Sequence, residues 1–215
     1  MLLNDLDLAT LSWSCYFDVA TFDKIIDLNG DWAGIKHYPD NVHVVAFRGS
    51  TTIEDWLRDF QGLMIQDPEL GGVETGFMKG IRDVLANVGD EINGLYCPKL
   101  YITGHSLGAA RALLFAALVC AQGHAQVIQR VAVFGSPRPG GLQVLKLLSN
   151  VPVNSYKNGD DPVCAVPFSV PGIEPYIHPR QLIAVDAPPP EDDSWGPLAR
   201  HHSELYLAAM RKLYG

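Results

Sequence analysis

The stretch Lys99-Leu100-Tyr101-Ile102-Thr103-Gly104-His105-Ser106-Leu107-Gly108 decides how this chain is read. Its first five residues form a short apolar run suited to a strand, and Leu107 to Cys120 is rich in alanine and leucine with no internal proline. A strand therefore runs directly into a helix, with Gly104-x-Ser106-x-Gly108 as the turn between them. A serine bracketed by glycines at such a junction is the pattern of a nucleophile elbow. The turn is too tight for side chains on either side of the serine, which is why glycines stand there. The helix that follows points the positive end of its dipole at the space where an oxyanion would form. In a chain with 20 glycines the bare string arises easily by chance, so its weight comes from its placement.

The bulk properties frame that reading. A chain of 215 residues fits one domain with a substantial core, and 47% hydrophobic with 19% charged residues is ordinary for a globular protein. A net charge of −8 argues against nucleic acid as a partner, because phosphates call for a basic patch. No stretch approaches the ~18 apolar residues of a membrane span, so an integral membrane segment is not expected. The start, Met1-Leu2-Leu3-Asn4-Asp5-Leu6-Asp7, lacks the basic region of a signal peptide. The expected location is cytoplasmic, or secreted if a leader has been removed. Cys15, Cys97, Cys120 and Cys164 are widely spaced and form neither a disulfide scaffold nor a metal-type pair. No phosphate loop is visible either, so neither a cofactor nor a metal is expected. Oligomeric state stays open at this level.

Outward from the elbow, strands alternate with helices. Val42-His43-Val44-Val45-Ala46-Phe47 is a dense β-branched run ending at Arg48-Gly49-Ser50, and it is taken as the first strand. Thr51 or Thr52 can cap a helix from Ile53 to about Gln61. Asp67 to Gly72 reads as a loop, and Gly76 to Gly89 as one helix with apolar residues at helical spacing. Val131 to Phe134 is a strand closed by Gly135-Ser136-Pro137-Arg138, followed by a helix from Leu142 to Leu148 and a strand from Val151 to Tyr156. Tyr176 to His178 and Gln181 to Val185 look like short strands of an antiparallel addition. A helix from about Ser203 to Leu213 ends the chain. Apolar strands without strict alternation imply a mainly parallel sheet covered by helices on both faces, hence a single α/β domain over residues 1–215.

A serine hydroxyl needs a histidine to take its proton and an acid to hold that imidazole in the right tautomer. When the serine sits on an elbow, the chain order is serine, acid, histidine, the last two on loops after later strands. The acid candidates are Asp160 and Asp161, after the strand ending near Tyr156. The histidine candidates are His201 and His202, just before the last helix. Of the two amides an oxyanion needs, one belongs to Leu107 and the other is expected after an earlier strand, at Ser50.

These residues reach a known family. Val44-Val45-Ala46-Phe47-Arg48-Gly49-Ser50, with Asp55-Trp56-Leu57 and Asp59-Phe60, resembles the class 3 lipases, the group of the fungal triacylglycerol lipases. Gly76-Phe77, the elbow from Thr103 to Gly108, Phe134-Gly135-Ser136-Pro137-Arg138, Asp161-Pro162-Val163 and Tyr176-Ile177-His178 are similar to further family segments in order, from about Val42 to Tyr206. The resemblance implies a single-domain α/β-hydrolase fold, hydrolysis of acylglycerols or other fatty-acyl esters, and a triad of Ser106, Asp161 and one of His201 and His202. Asp161 is preferred for the Pro-Val that follows it, and His201 for its spacing to Tyr206. A small-molecule or lipid ester is the expected partner, with transient contact at a lipid interface.

Three positions depart from the family pattern: Ala109 stands for a glycine, Arg111 for a small or apolar residue, and Glu74 for a histidine. Two segments are candidates to gate or line an acyl pocket, Thr52 to Leu63 and Pro167 to Ile173. The rival readings are an elbow hydrolase of another bond, a peptidase or thioesterase, and a non-catalytic lipid-binding relative.

Overall fold

A computed structural model describes residues 2–28, 31–51, 63–92, 94, 98–168, 174–191 and 196–215. The helix expected from Ile53 to Gln61, Cys97 and most of the stretch from Pro167 to Ile173 lie outside the described residues.

A seven-stranded sheet organises the chain. Its strands are β1 (Lys24–Leu28), β2 (Asp31–Tyr38), β3 (Val42–Phe47), β6 (Lys99–His105), β7 (Ile128–Phe134), β8 (Val153–Asn158) and β9 (Ile183–Val185), side by side in that order. From β3 to β9 every pairing is parallel, whereas β1 and β2 add to the β3 edge antiparallel. The parallel pairing of β9 with β8 replaces the antiparallel addition expected for Gln181 to Val185. Of Tyr176 to His178, Ile177 alone forms a bridge, to Gly140. A separate hairpin of β4 (Met64–Asp67) and β5 (Gly71–Glu74) occupies the stretch read as a loop. Its turn is built by Asp67, whose Oδ1 accepts the amides of Glu69 and Leu70 at 2.9 and 3.0 Å.

The strands lack alternation because both faces of the sheet are buried. On β3, Val45 and Phe47 face one side, while Val42, Val44 and Ala46 face the other, and all are buried. The first side is covered by α2 (Thr75–Met78), α3 (Ile81–Glu91), α4 (Leu107–Ala121) and α5 (Leu142–Leu147). The other side carries α1 (Asp5–Phe17) and α6 (Ser203–Tyr214), with Leu8, Leu11, Tyr206 and Met210 against Tyr101, Ala132 and Phe134. Every residue of α4 from Gly108 to Val119 is buried, which its alanine-rich composition permits. The helix expected over Gly76 to Gly89 is two helices instead, because Gly80 sits at φ 72° and breaks the run.

The first strand is not the one expected. Helix α1 and strands β1 and β2 precede β3, and α1 starts with a capping box. Asn4 Oδ1 accepts the amides of Leu6 and Asp7 at 2.9 and 3.0 Å, and Asp7 Oδ2 accepts the Asn4 amide at 2.8 Å. The helix is tied across the sheet by Asp5, fully buried, which accepts from Arg130 Nη1 at 2.8 Å, Asn154 Nδ2 at 2.6 Å and the Tyr156 hydroxyl at 2.5 Å. Thr103 Oγ1 lies within hydrogen-bonding reach of the carbonyls of Leu8 and Ala132, at 3.1 and 2.8 Å. Helix α1 therefore runs along the sheet, with Asp5 tied near the starts of β7 and β8 and Tyr16 at the C-terminal end of β6, where the elbow lies. Among the described residues, no helix is long and apolar enough to cross a membrane.

Candidate active site

Strand β6 ends at His105 and α4 begins at Leu107, so Ser106 alone makes the turn, at φ 60° and ψ −132°. Positive φ in a non-glycine residue is strained, and strain of this kind collects at functional sites. The flanking glycines are required by close approach. A Cβ on Gly108 would meet the Phe47 carbonyl oxygen at 2.2 Å, and one on Gly104 would meet the Gly108 carbonyl oxygen at 2.4 Å. The elbow therefore packs backbone against backbone, with Ser106 pinned by its amide to the Phe134 carbonyl at 3.0 Å. Leu107, as the first residue of a helix, has an N–H with no intrahelical acceptor. Ser106 lines a cleft of about 310 Å³, shared with Ser50, Tyr16, Phe17, His201 and Glu204.

The candidate acid and base meet beside this cleft, with His201 lining it and Asp161 buried behind. After β8 the chain turns at Gly159 (φ 52°) and brings Asp161 into the interior, fully buried. Asp161 Oδ1 accepts the Val163 amide at 2.9 Å, and Oδ2 accepts from His201 Nδ1 at 2.8 Å and from the Tyr206 hydroxyl at 2.5 Å. Burial alone would raise the Asp161 carboxyl. The His201 hydrogen bond and charge, with the Tyr206 and Val163 donors, outweigh it and hold the group below its ordinary value. With Nδ1–H committed to the carboxylate, His201 presents Nε2 as its free nitrogen. Nε2 of His201 and Oγ of Ser106 are both buried without a hydrogen-bond partner, in a cleft they both line. Gly135, at φ 60° after β7, makes room for the pair, because a Cβ there would lie 2.9 Å from His201 Cε1 and 3.1 Å from Asp161 Oδ2.

The neighbouring candidates are placed elsewhere. Asp160 is exposed beside Arg200, 3.6 Å from its Nε. The ring of His202 is partly exposed, with Nδ1 4.0 Å from Glu204 Oε2, and the residue precedes α6 as its cap. His178 donates from Nε2 to the Cys164 carbonyl at 2.8 Å and so braces the turn that carries Asp161. Burial pushes its pKa down, consistent with a neutral structural imidazole. Cys15, Cys120 and Cys164 are free thiols, and burial raises the pKa of each. Two of the departures from the family pattern face each other. Glu74 caps α2 by accepting the Phe77 amide at 2.9 Å, and Arg111 of α4 donates to the Gly76 carbonyl at 3.3 Å. Burial raises the Glu74 carboxyl, and the positive charge of Arg111 acts against that rise.

Three side chains around the site were not singled out as functional from sequence: Tyr16, His105 and Tyr206. Tyr206 anchors Asp161, and its amino-acid signal is a large aromatic on the buried face of α6. Tyr16 sits at the end of a helix that sequence reading did not place. His105, inside the elbow string itself, is buried and lines the cleft at a ring-centroid distance of 4.6 Å from His201.

A mainly parallel sheet covered on both faces, an elbow after β6, and an acid and a histidine after later strands define an α/β-hydrolase fold. A family model described as "Lipase (class 3)" matches residues 44–170, and the chain belongs to that family. It is 31% identical over 158 residues to secreted mono- and diacylglycerol lipase 1 of Fusarium solani, covering 70% of this chain and 46% of that one. It is 36% identical over 122 residues to a lipase of Rhizomucor miehei, covering 49% and 32%. The Rhizomucor miehei lipase–propeptide complex superposes with a TM-score of 0.64 at 24% identity, over 75% of this chain and 62% of that one. A triacylglycerol lipase whose catalytic centre is formed by a serine protease triad superposes with a TM-score of 0.62 at 25% identity, over 75% and 72%. The chain spans about half the length of the secreted acylglycerol lipases it matches.

Proposed function

We propose that the protein is a serine carboxylic-ester hydrolase that cleaves acylglycerols or other fatty-acyl esters as one α/β-hydrolase domain. The observation that carries this reading is the buried Asp161–His201 pair at 2.8 Å, with His201 Nε2 and Ser106 Oγ both unpartnered in one cleft. His201 takes the Ser106 proton through Nε2, and Ser106 Oγ attacks the ester carbonyl. The amides of Leu107 and Ser50 hold the oxyanion. The alcohol leaves with the proton from His201, and water then resolves the acyl-enzyme through the same base. Asp161 keeps the Nδ1–H tautomer and stabilises the imidazolium. Membership of the class 3 lipases and the names of the acylglycerol lipases it matches favour ester bonds over amides or thioesters. Four of the matched relatives are named as secreted, which supports action outside the cytoplasm.

The test is turnover of p-nitrophenyl esters and acylglycerols of rising chain length, together with labelling by a fluorophosphonate. Ser106→Ala should lose labelling and at least ~10³-fold in kcat/KM while keeping its fold. His201→Gln should lose a similar factor and His202→Gln far less. A Ser106→Ala protein that turns over esters at near the original rate would refute the assignment.

A further inference from the structure

Along one wall of the cleft a line of hydrogen bonds joins four segments that are far apart in the chain. The Gly49 amide donates to Tyr16 Oη at 3.0 Å, Tyr16 Oη lies 3.1 Å from His105 Nδ1, and His105 Nε2 lies 2.7 Å from the His201 carbonyl oxygen. We propose that Tyr16 and His105 are positioning residues that hold the Ser50 amide and the His201 imidazole in a fixed relation. The proposal rests on the hydrolase reading above.

The direction of each bond follows from chemistry. A carbonyl only accepts, so the proton at the His105–His201 contact is on His105 Nε2. His105 is buried at one edge of the cleft, and burial, followed by the neighbouring His201, pushes its pKa down to about 3. It therefore carries one proton near neutral pH, and its Nδ1 is a lone pair. That lone pair accepts a hydrogen bond from the Tyr16 hydroxyl, for which the His105 carbonyl at 3.4 Å is the longer alternative. Burial raises the Tyr16 phenol, so it stays a donor well above neutral pH. Its oxygen is left to accept from Gly49. The chain thus reads Gly49 N–H to Tyr16 O–H to His105 Nδ1, then His105 Nε2–H to the His201 carbonyl.

The consequences fall on both ends. The Gly49 amide is spent on Tyr16, so it is not an oxyanion donor, and the peptide next along the chain carries the Ser50 N–H. Pinning the Gly49 peptide limits the swing of its neighbour. At the far end, the bonded carbonyl belongs to the proposed base itself. Loosening the chain displaces an oxyanion donor and the base together. Both act on the transition state more than on bound substrate, so the loss appears in kcat.

The experiment uses Tyr16→Phe, His105→Gln and the double variant, each normalised by fluorophosphonate titration. The readouts are kcat and KM on p-nitrophenyl butyrate, inhibition by an alkylboronic acid, and thermal midpoint. Tyr16→Phe is expected to lower kcat about 10- to 100-fold with KM within about threefold, the scale of a misplaced catalytic group. Boronate Ki should rise with the loss in kcat/KM, because the boronate mimics the tetrahedral state. The double variant should lose about as much as the worse single one, since members of one chain do not add.

Retention of kcat by Tyr16→Phe within about threefold of an active parent overturns the proposal. So does a lower thermal midpoint with unchanged titrated kcat, a loss confined to KM, or multiplied losses in the double variant. If His105→Gln does not fold, Tyr16→Phe and its boronate Ki decide alone. A parent protein that neither turns over esters nor takes the label fails the hydrolase reading first, and that outcome is seen before any variant is made.

Discussion

His105 should make the protein labile to acid. In the folded chain its imidazole is buried, and burial together with the charge on His201 holds its pKa down at about 3. In the unfolded chain the same group titrates near ~6.5. A histidine with a depressed folded pKa contributes its full stability above the unfolded value and loses it as pH falls toward the folded one. Between about pH 6.5 and about 3 the unfolded state binds one proton that the native state refuses, which removes ~1.4 kcal/mol per pH unit. At about pH 4.5 this single group has removed about 3 kcal/mol, a large share of the ~5–15 kcal/mol that holds a typical domain.

The groups facing His105 are Tyr16 from α1, Asp161 after β8, His201 and His202 before α6, and Tyr206 from α6. Asp161 is depressed too, but its contribution is lost only below the ordinary carboxylate range, as pH falls through its lowered folded value. His43 and His178 are lowered too, first by burial, and shift stability in the same direction, but a substitution at His105 leaves their contributions in place. The assay is urea unfolding of the parent and of His105→Gln at several pH values. The variant should be weaker near neutral pH, yet its stability should fall about one proton less steeply between about pH 6.5 and 4. Equal slopes for the two proteins would refute the buried neutral imidazole.

Gly135→Ala places a methyl group against His201 and Asp161 and forces alanine to φ 60°, so kcat/KM on a soluble ester should fall about 100-fold or more. Turnover within about threefold of the parent would mean that the pair does not lie against Gly135. Asp5→Ala strips the acceptor shared by Arg130, Asn154 and Tyr156 and leaves the buried Tyr156 hydroxyl without it. Urea unfolding should show a loss of about 2–4 kcal/mol, and a loss under ~0.5 kcal/mol would show that α1 is held by its apolar contacts alone.

The parallel half of the fold was legible because each strand there is an apolar run followed by a glycine-marked turn and a helical segment. The antiparallel half was not. Helix α1 packs on the sheet with Leu8 and Leu11 and against α6, so its apolar residues spread around more than one face and blur the helical period. Its start was nonetheless written in Asn4-x-x-Asp7, a capping box with aspartate where glutamate is usual. Strands β1 and β2 flank Asn29-Gly30, the dipeptide that most strongly marks a two-residue hairpin. Both signals are local, and neither says what the element it marks packs against. Asp67 to Gly72 was read for its turn residues alone, although Met64 to Gln66 and Val73 could supply a short hairpin around them.

The site divides along the same line. Residues whose chemistry is carried by chain order were legible: the elbow serine, an acid after one later strand and a histidine before the last helix. The choice of Asp161 over Asp160 is a matter of which way a turn faces, and burial separates them, with Asp161 enclosed and Asp160 beside Arg200 in solvent. Residues that act by bonding to another residue's backbone leave no spacing to read. Tyr16 reaches Gly49 and His105 only because the last turn of α1 lies at the end of β6, and His105 reaches His201 across 96 residues of chain. A deleted hydroxyl in such a chain removes no charge and little buried area, so stability is a poor reporter of its role. Its cost appears where two distant segments must be correct at once, in the step that needs Ser50 and His201 together.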